Sequence, residues 1–168
     1  MKRTFFCAFL LLLLGVMPIA EAKQPKLVIV NHSRFIKEIN RKILYDYLSF
    51  VSTQWSIYQG TYYFYVSDEF PSFLIIDPKA LAGHTAQVKA YVNAKDVIES
   101  NFSIYYVMTH ELVEMATDPY LNTYAMKDGE KVLVEVADPI ETNYLSIDNE
   151  QVADFVSPDY YDKENDNG

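Results

Sequence analysis

The chain has 168 residues, 50% of them hydrophobic, and a formal net charge of −9. Phosphate binding needs clustered Lys and Arg, so the charge argues against a nucleic-acid partner. The single cysteine, Cys7, lies in an N-terminal apolar run, which excludes a disulfide, a thiolate nucleophile and Cys-ligated zinc from the rest of the chain.

Lys2 and Arg3 precede Phe5 to Val16, a stretch with no charged or polar side chain, and Ala20-Glu21-Ala22 places small residues at a peptidase recognition site. The expectation is a signal peptide over residues 1–22, cleaved after Ala22, and a secreted or periplasmic protein of one domain over 23–168. The apolar run is too short to span a bilayer, so no membrane contact is expected after cleavage. The size of the remainder suits one core and a monomer.

Lys26 to Val30 predicts a buried strand. Asn31 and Ser33 offer caps for a helix over about 34–55, in which Ile36, Ile39, Ile43, Leu44, Tyr47, Leu48 and Val51 recur at three- and four-residue steps. Tyr58-Gln59-Gly60 ends it. Thr61 to Val66 and Ser72 to Ile76 predict strands, the latter broken by Asp77-Pro78. A loop with Gly83-His84 precedes an extended segment around Val88 to Val92. From Tyr105 a mostly buried helix runs to Thr117 and stops at Asp118-Pro119, because proline cannot continue it. Val132 to Val136 and Val152 to Val156 predict two more strands, and the acidic tail over about 159–168 is expected to be disordered.

Charge is uneven. Lys23 to Thr109 hold nine basic and seven acidic residues, whereas His110 to Gly168 hold three basic and fifteen acidic. A solvated acidic face and a cation site both fit that imbalance.

On the helix, His110 and Glu114 are four residues apart and project from one face, so an imidazole and a carboxylate can reach one divalent ion. Glu111 lies one residue round, placed to approach a water without binding the ion. The spacing has the mechanics of the HExxH zinc helix with Glu at the second ligand position. Leu112, Val113 and Met115 make this a core helix, and a carboxylate in such surroundings needs a partner. Twenty residues on, Glu135 stands alone in an apolar run, with Leu133, Glu135 and Ala137 on one strand face and Val132, Val134 and Val136 on the other. Catalytic zinc takes three protein ligands, and His110, Glu114 and Glu135 can be those three. Asp138 is the alternative third ligand, or holds the His110 ring through its other nitrogen. Solvent-facing carboxylates and an ordinary core histidine remain the plain alternative.

These residues resemble the zincin metallopeptidases, most closely the gluzincin layout of a zinc helix, a following Glu ligand and an Asp. More narrowly, the chain looks like small zincin-like proteins encoded by phages and bacteria. The matching strings are Gly83-His84, Thr109-His110-Glu111-Leu112-Val113-Glu114 with Asp118-Pro119, Glu135-Val136-Ala137-Asp138-Pro139, and Val152-Ala153-Asp154-Phe155-Val156-Ser157-Pro158. Val30-Asn31 and Trp55 also fit. Glu114 departs from the zincin pattern, where a histidine stands, and Thr109 stands where the narrower family has Ser. An oxygen-rich set also suits manganese, magnesium or calcium.

The resemblance implies an α+β, zincin-like fold: a mixed sheet against an N-terminal helix and a central HExxE helix, with a loop-rich C-terminal part. It implies one Zn2+ and hydrolysis of a peptide or protein substrate, with Glu111 as general base. His84, Tyr144, Tyr160 and Tyr161 are candidate oxyanion donors, His84 also a candidate ligand. Asp118 either closes the helix or sits beside the metal, and Asp154 caps or braces the C-terminal segment. Other functions open to this sequence are a non-catalytic, metal-stabilised module and a calcium-dependent adhesion domain.

Overall fold

The computed structural model describes residues 24–74 and 79–161; the expected signal peptide, the Asp77-Pro78 break and residues 162–168 lie outside them. Eight strands and three α-helices follow in the order β1 (Lys26–Asn31), α1 (Arg41–Val51), β2 (Thr61–Ser67), β3 (Ala82–Thr85), β4 (Lys89–Asn93), α2 (Ala94–Glu99), α3 (Ile104–Thr117), β5 (Tyr124–Lys127), β6 (Glu130–Leu133), β7 (Tyr144–Ile147) and β8 (Glu150–Ala153) among the described residues. The protein is α+β. Its main sheet is mixed and has the order β1-β2-β4-β3, with β1, β2 and β4 parallel and β3 antiparallel at the edge.

Period-two alternation builds the sheet. Tyr62, Phe64 and Val66 of β2 and Ala90 and Val92 of β4 are buried on one face, together with Ile43, Leu44, Tyr47, Leu48 and Val51 of α1. The crossover from β1 to its parallel partner β2 passes through α1, as a parallel pair requires. Helix α3 is buried almost all round, packing on α1, on β3 and β4, and on β8.

Helix α1 is shorter than the periodicity predicts. Residues 34–40 are irregular and tied by side chains: the Asp68 carboxylate accepts from Ser33 Oγ at 2.8 Å and from Arg34 Nε at 2.7 Å, and Asn31 Nδ2 donates to Ile36 O at 2.7 Å. The helix starts instead at Asn40, whose side chain accepts from Lys42 N. It ends at Val51, and Trp55 N closes the following turn on Val51 O. Of the expected strand over 72–76, residues 72–74 form a turn, with Leu74 N on Pro71 O, and 75–76 lie outside the described residues. Gly83-His84 is strand rather than loop. Strand β4 begins one residue after the expected start, because Val88 takes a left-handed φ of 57°.

The C-terminal third is two hairpins. Asp128-Gly129 (φ 52° and 82°) and Asp148-Asn149 (φ 52° and 68°) are two-residue turns with both central residues left-handed, the twist that suits antiparallel strands. Strand β6 stops at Leu133, short of the expected Val136: Val134 N still bonds Thr123 O in the hairpin register, but Glu135 N turns back to Leu133 O. Strand β8 likewise ends at Ala153, although Val156 N still bonds Val136 O at 2.9 Å. The tail is ordered further than expected: Pro158–Tyr160 form a 3-10 turn, and buried Tyr161 packs edge-on against Trp55. No helix among the described residues is long and apolar enough to cross a membrane.

Candidate metal centre

Helix α3 is set by Ser103, whose hydroxyl accepts from Tyr105 N, and it ends where Asp118 N bonds Glu114 O at 2.8 Å, ahead of Pro119. Buried Thr109 fixes its rotation. The Thr109 hydroxyl donates to Tyr105 O at 2.6 Å and accepts from Ala153 N at 2.8 Å, fastening the helix to β8. That rotation turns His110, Glu111 and Glu114 into a cleft of about 840 Å3, lined also by His84, Glu135 and Asp138.

Two histidines approach Glu114 from different elements. From α3, His110 Nε2 lies 3.4 Å from Glu114 Oε1 and 3.2 Å from Asp138 Oδ1. From edge strand β3, His84 Nδ1 lies 3.0 Å from Glu111 Oε2 and 3.6 Å from Glu114 Oε2. His84, Glu111 and Glu114 have side chains less than a tenth exposed, while the Asp138 side chain is 56% exposed at the cleft mouth. Asp138 opens the short 3-10 turn Asp138–Ile140, and the backbone N–H of the preceding Ala137 reaches Glu114.

The electrostatics follow from crowding and burial. Burial drives the Glu114 carboxyl well above its ordinary range, and the negative charges of Glu111, Asp138 and Glu135 push it the same way. Glu135 is raised for the same reasons, burial first and then its hydrogen-bonded neighbour Asp138. Asp138 is lowered, chiefly by its hydrogen bond with His110. For His110, burial opposes the charged form, but Asp138 and the nearby carboxylates raise it overall.

Such a site fits a cation. Two trios, His84-Glu111-Glu114 and His110-Glu114-Asp138, each offer ligand atoms within 4.8 Å of one another. Buried Glu114 Oε1 and His84 Nε2 have no hydrogen-bond partner among the described residues, a costly state that a bound ion relieves at the carboxylate. These clustered His, Glu and Asp groups can therefore hold a metal ion. Imidazole with carboxylate is a donor set that zinc accepts.

Glu135 lines the cleft but joins neither trio; it leaves the strand and reaches the site through its hydrogen bond with Asp138. The expected alternation fails there, because Ala137 is buried alongside Val134 and Val136. Asp138 meets the same ring nitrogen of His110 that faces Glu114, and not the opposite nitrogen. Asp118 is buried and turned to its own loop, accepting from Asn122 N, Thr123 N and Thr123 Oγ1, each at 3.0 Å.

Of the tyrosines, Tyr161 donates to Glu135 O at 3.3 Å and is pushed up to about 12, mainly by burial. Tyr144 is exposed on β7, and Tyr160 lies beneath Lys127 Nζ, 4.6 Å from its ring centre. Neither lines the cleft. Asp154 accepts from the backbone N–H of the next residue, Phe155, at 2.9 Å. Sequence reasoning passed over Tyr106, which lines the cleft and whose hydroxyl has no hydrogen-bond partner among the described residues. The signal was available: it lies four residues before His110, on the same helix face.

Comparison of the chain with protein-family models, with curated proteins and with solved structures finds no match in any of the three.

Proposed function

We propose that the protein is an exported, zinc-dependent peptidase of zincin type, working on a peptide or protein substrate. The observation that carries this reading is the convergence of His110, Glu114 and Asp138 from a helix and a distant turn, with Glu111 beside them in an open cleft. His110 and Glu114 supply two ligands one helical turn apart, and Asp138 supplies the third, with Glu135 bonded behind it.

A zinc ion there would supply Lewis acidity and make a water in the cleft easier to deprotonate. Glu111 then takes that proton and delivers it to the leaving nitrogen. His84 Nδ1 holds the Glu111 carboxylate by one oxygen, Oε2, which fixes its direction and leaves Oε1 for the proton. Tyr106 is the candidate second donor to the developing oxyanion: its hydroxyl is unpaired, and burial, with Glu141 nearby, raises it above its ordinary range, which keeps it protonated. Apolar cleft residues such as Leu81, Phe102 and Leu121 give a substrate side chain somewhere to lie.

The test is metal analysis of the purified protein, followed by assay of wild type and Glu111→Gln on a broad peptide library. The expected result is about one zinc per chain in both proteins, and a loss of roughly 100-fold or more in kcat for the variant. Zinc-loaded wild type that cleaves nothing, or a variant as active as wild type, overturns the peptidase reading.

A further inference from the structure

The two oxygens of Glu114 face different histidines: Oε1 is 3.4 Å from His110 Nε2, and Oε2 is 3.6 Å from His84 Nδ1. We infer that His84, Glu111 and Glu114 form a second cation site, adjoining the first and sharing Glu114 as the carboxylate between two ions. The inference goes beyond a single-ion peptidase centre, and the second site exists or fails whether or not the protein hydrolyses peptides.

The chemistry is visible at His84 Nδ1, which lies against two carboxylates at once, Glu111 Oε2 at 3.0 Å and Glu114 Oε2 at 3.6 Å. A single N–H can satisfy only one of them. A divalent ion in place of that proton bonds the nitrogen and both oxygens together. Every side chain in this trio is less than a tenth exposed, so the charges of its two carboxylates are poorly screened by solvent. A carboxylate that gives one oxygen to each of two neighbouring ions is the usual bridge of two-ion centres. Filling the second site also puts a dication on Glu111 Oε2, which makes the carboxylate, and with it the Oε1 that serves as base in the proposed reaction, far less basic. Excess metal then inhibits, instead of saturating, any peptidase activity.

Zinc titration of the chelator-stripped full chain, followed by calorimetry and native mass spectrometry, counts the ions. Two ions are expected, the second bound at least about tenfold more weakly because two dications repel. His84→Ala should lose the second ion and keep the first. A single ion at millimolar zinc, or a second ion retained in His84→Ala, overturns the inference. Cobalt titration of the unmutated protein decides independently of any folding defect in the variant: spin-coupled cobalt above one equivalent supports the shared bridge, and two uncoupled ions or one ion refute it. Two ions with no peptide cleavage refute the proposed hydrolysis and leave this site standing.

Discussion

The Asp138 Oδ1 atom sits 3.2 Å from His110 Nε2, the ring nitrogen that also faces Glu114. A carboxylate that only oriented the ring would hold the other nitrogen, so within the proposed function Asp138 is read as a ligand. The consequence is a ranking of two neighbouring acids that spacing alone leaves equal. Asp138→Ala should weaken zinc binding by more than about 100-fold, because it removes a ligand, whereas Glu135→Gln, which alters only the group hydrogen-bonded to that ligand, should cost roughly 10-fold. Competition against a zinc chelator measures both. Equal losses, or the larger loss at Glu135, would reverse the assignment.

Asp118 gives the control. Its carboxylate accepts three hydrogen bonds from Asn122 and Thr123, and Thr123 O in turn accepts from Val134 N, the residue before Glu135. Asp118→Ala strips a buried acceptor and leaves two backbone N–H groups without their partner, a cost of about 1–3 kcal/mol. Urea denaturation should show that loss, while the zinc-to-protein ratio stays that of wild type. A variant of unchanged stability that loses its zinc would put Asp118 back among the ligands.

The chemistry-bearing helix was legible because it carries ionisable side chains inside an apolar run, and only burial with a partner makes that tolerable. His110, Glu111 and Glu114 accordingly share the cleft. The segment after it misled. Val132 to Ala137 alternates like a strand, yet the pairing stops after Val134 N bonds Thr123 O, because Glu135 N turns back to Leu133 O. Val136 O then accepts from Val156 N, a partner that the local sequence does not reveal. The hairpins were written locally, in Asp128-Gly129 and Asp148-Asn149, but β5 and β7 are too short to register as strands, and β6 and β8 start two residues before the apolar runs that announce them. His84 was open between ligand and donor on sequence. The register of β3, which pairs His84 with Ala90, is what lays it over Glu111, and pairing of that kind is decided by the whole sheet.

Thr109 links the metal helix to the last hairpin, since its hydroxyl both donates to Tyr105 O and accepts from Ala153 N, with the side chain fully buried. Thr109→Val keeps the shape and removes the hydroxyl, leaving the Ala153 N–H unpaired in the core, at a cost of about 1–3 kcal/mol. Thr109→Ser should recover most of it, since Ser retains the donor and acceptor. Thermal unfolding of the three proteins at equal zinc checks this. A valine variant as stable as wild type would show that the hydroxyl contributes nothing to the joint.

The ion-free site also sets how stability depends on pH. Glu114 and Glu135 are raised above their ordinary value of 4.5, and His110 above 6.5. Each therefore binds its proton more tightly in the folded chain than in the unfolded one. Their contribution to stability is present in full below the unfolded values and is lost as pH rises through the folded ones. Asp138 runs the other way, but it is lowered from 3.8, so its contribution is lost only below that value as the pH falls. Metal-free protein should consequently be more resistant to urea near pH 5 than near pH 8, where buried carboxylates repel one another without a counter-charge. Zinc reverses the trend, because it binds the deprotonated ligands: at about 100 times its dissociation constant it adds about 2.7 kcal/mol, and at a fixed zinc concentration the gain grows from pH 5 to pH 8 as protons stop competing and the dissociation constant falls. Urea midpoints with chelator and with zinc at the two pH values test both halves. A metal-free protein that grows steadily more stable across that interval would mean these carboxylates are not crowded together as the structure places them.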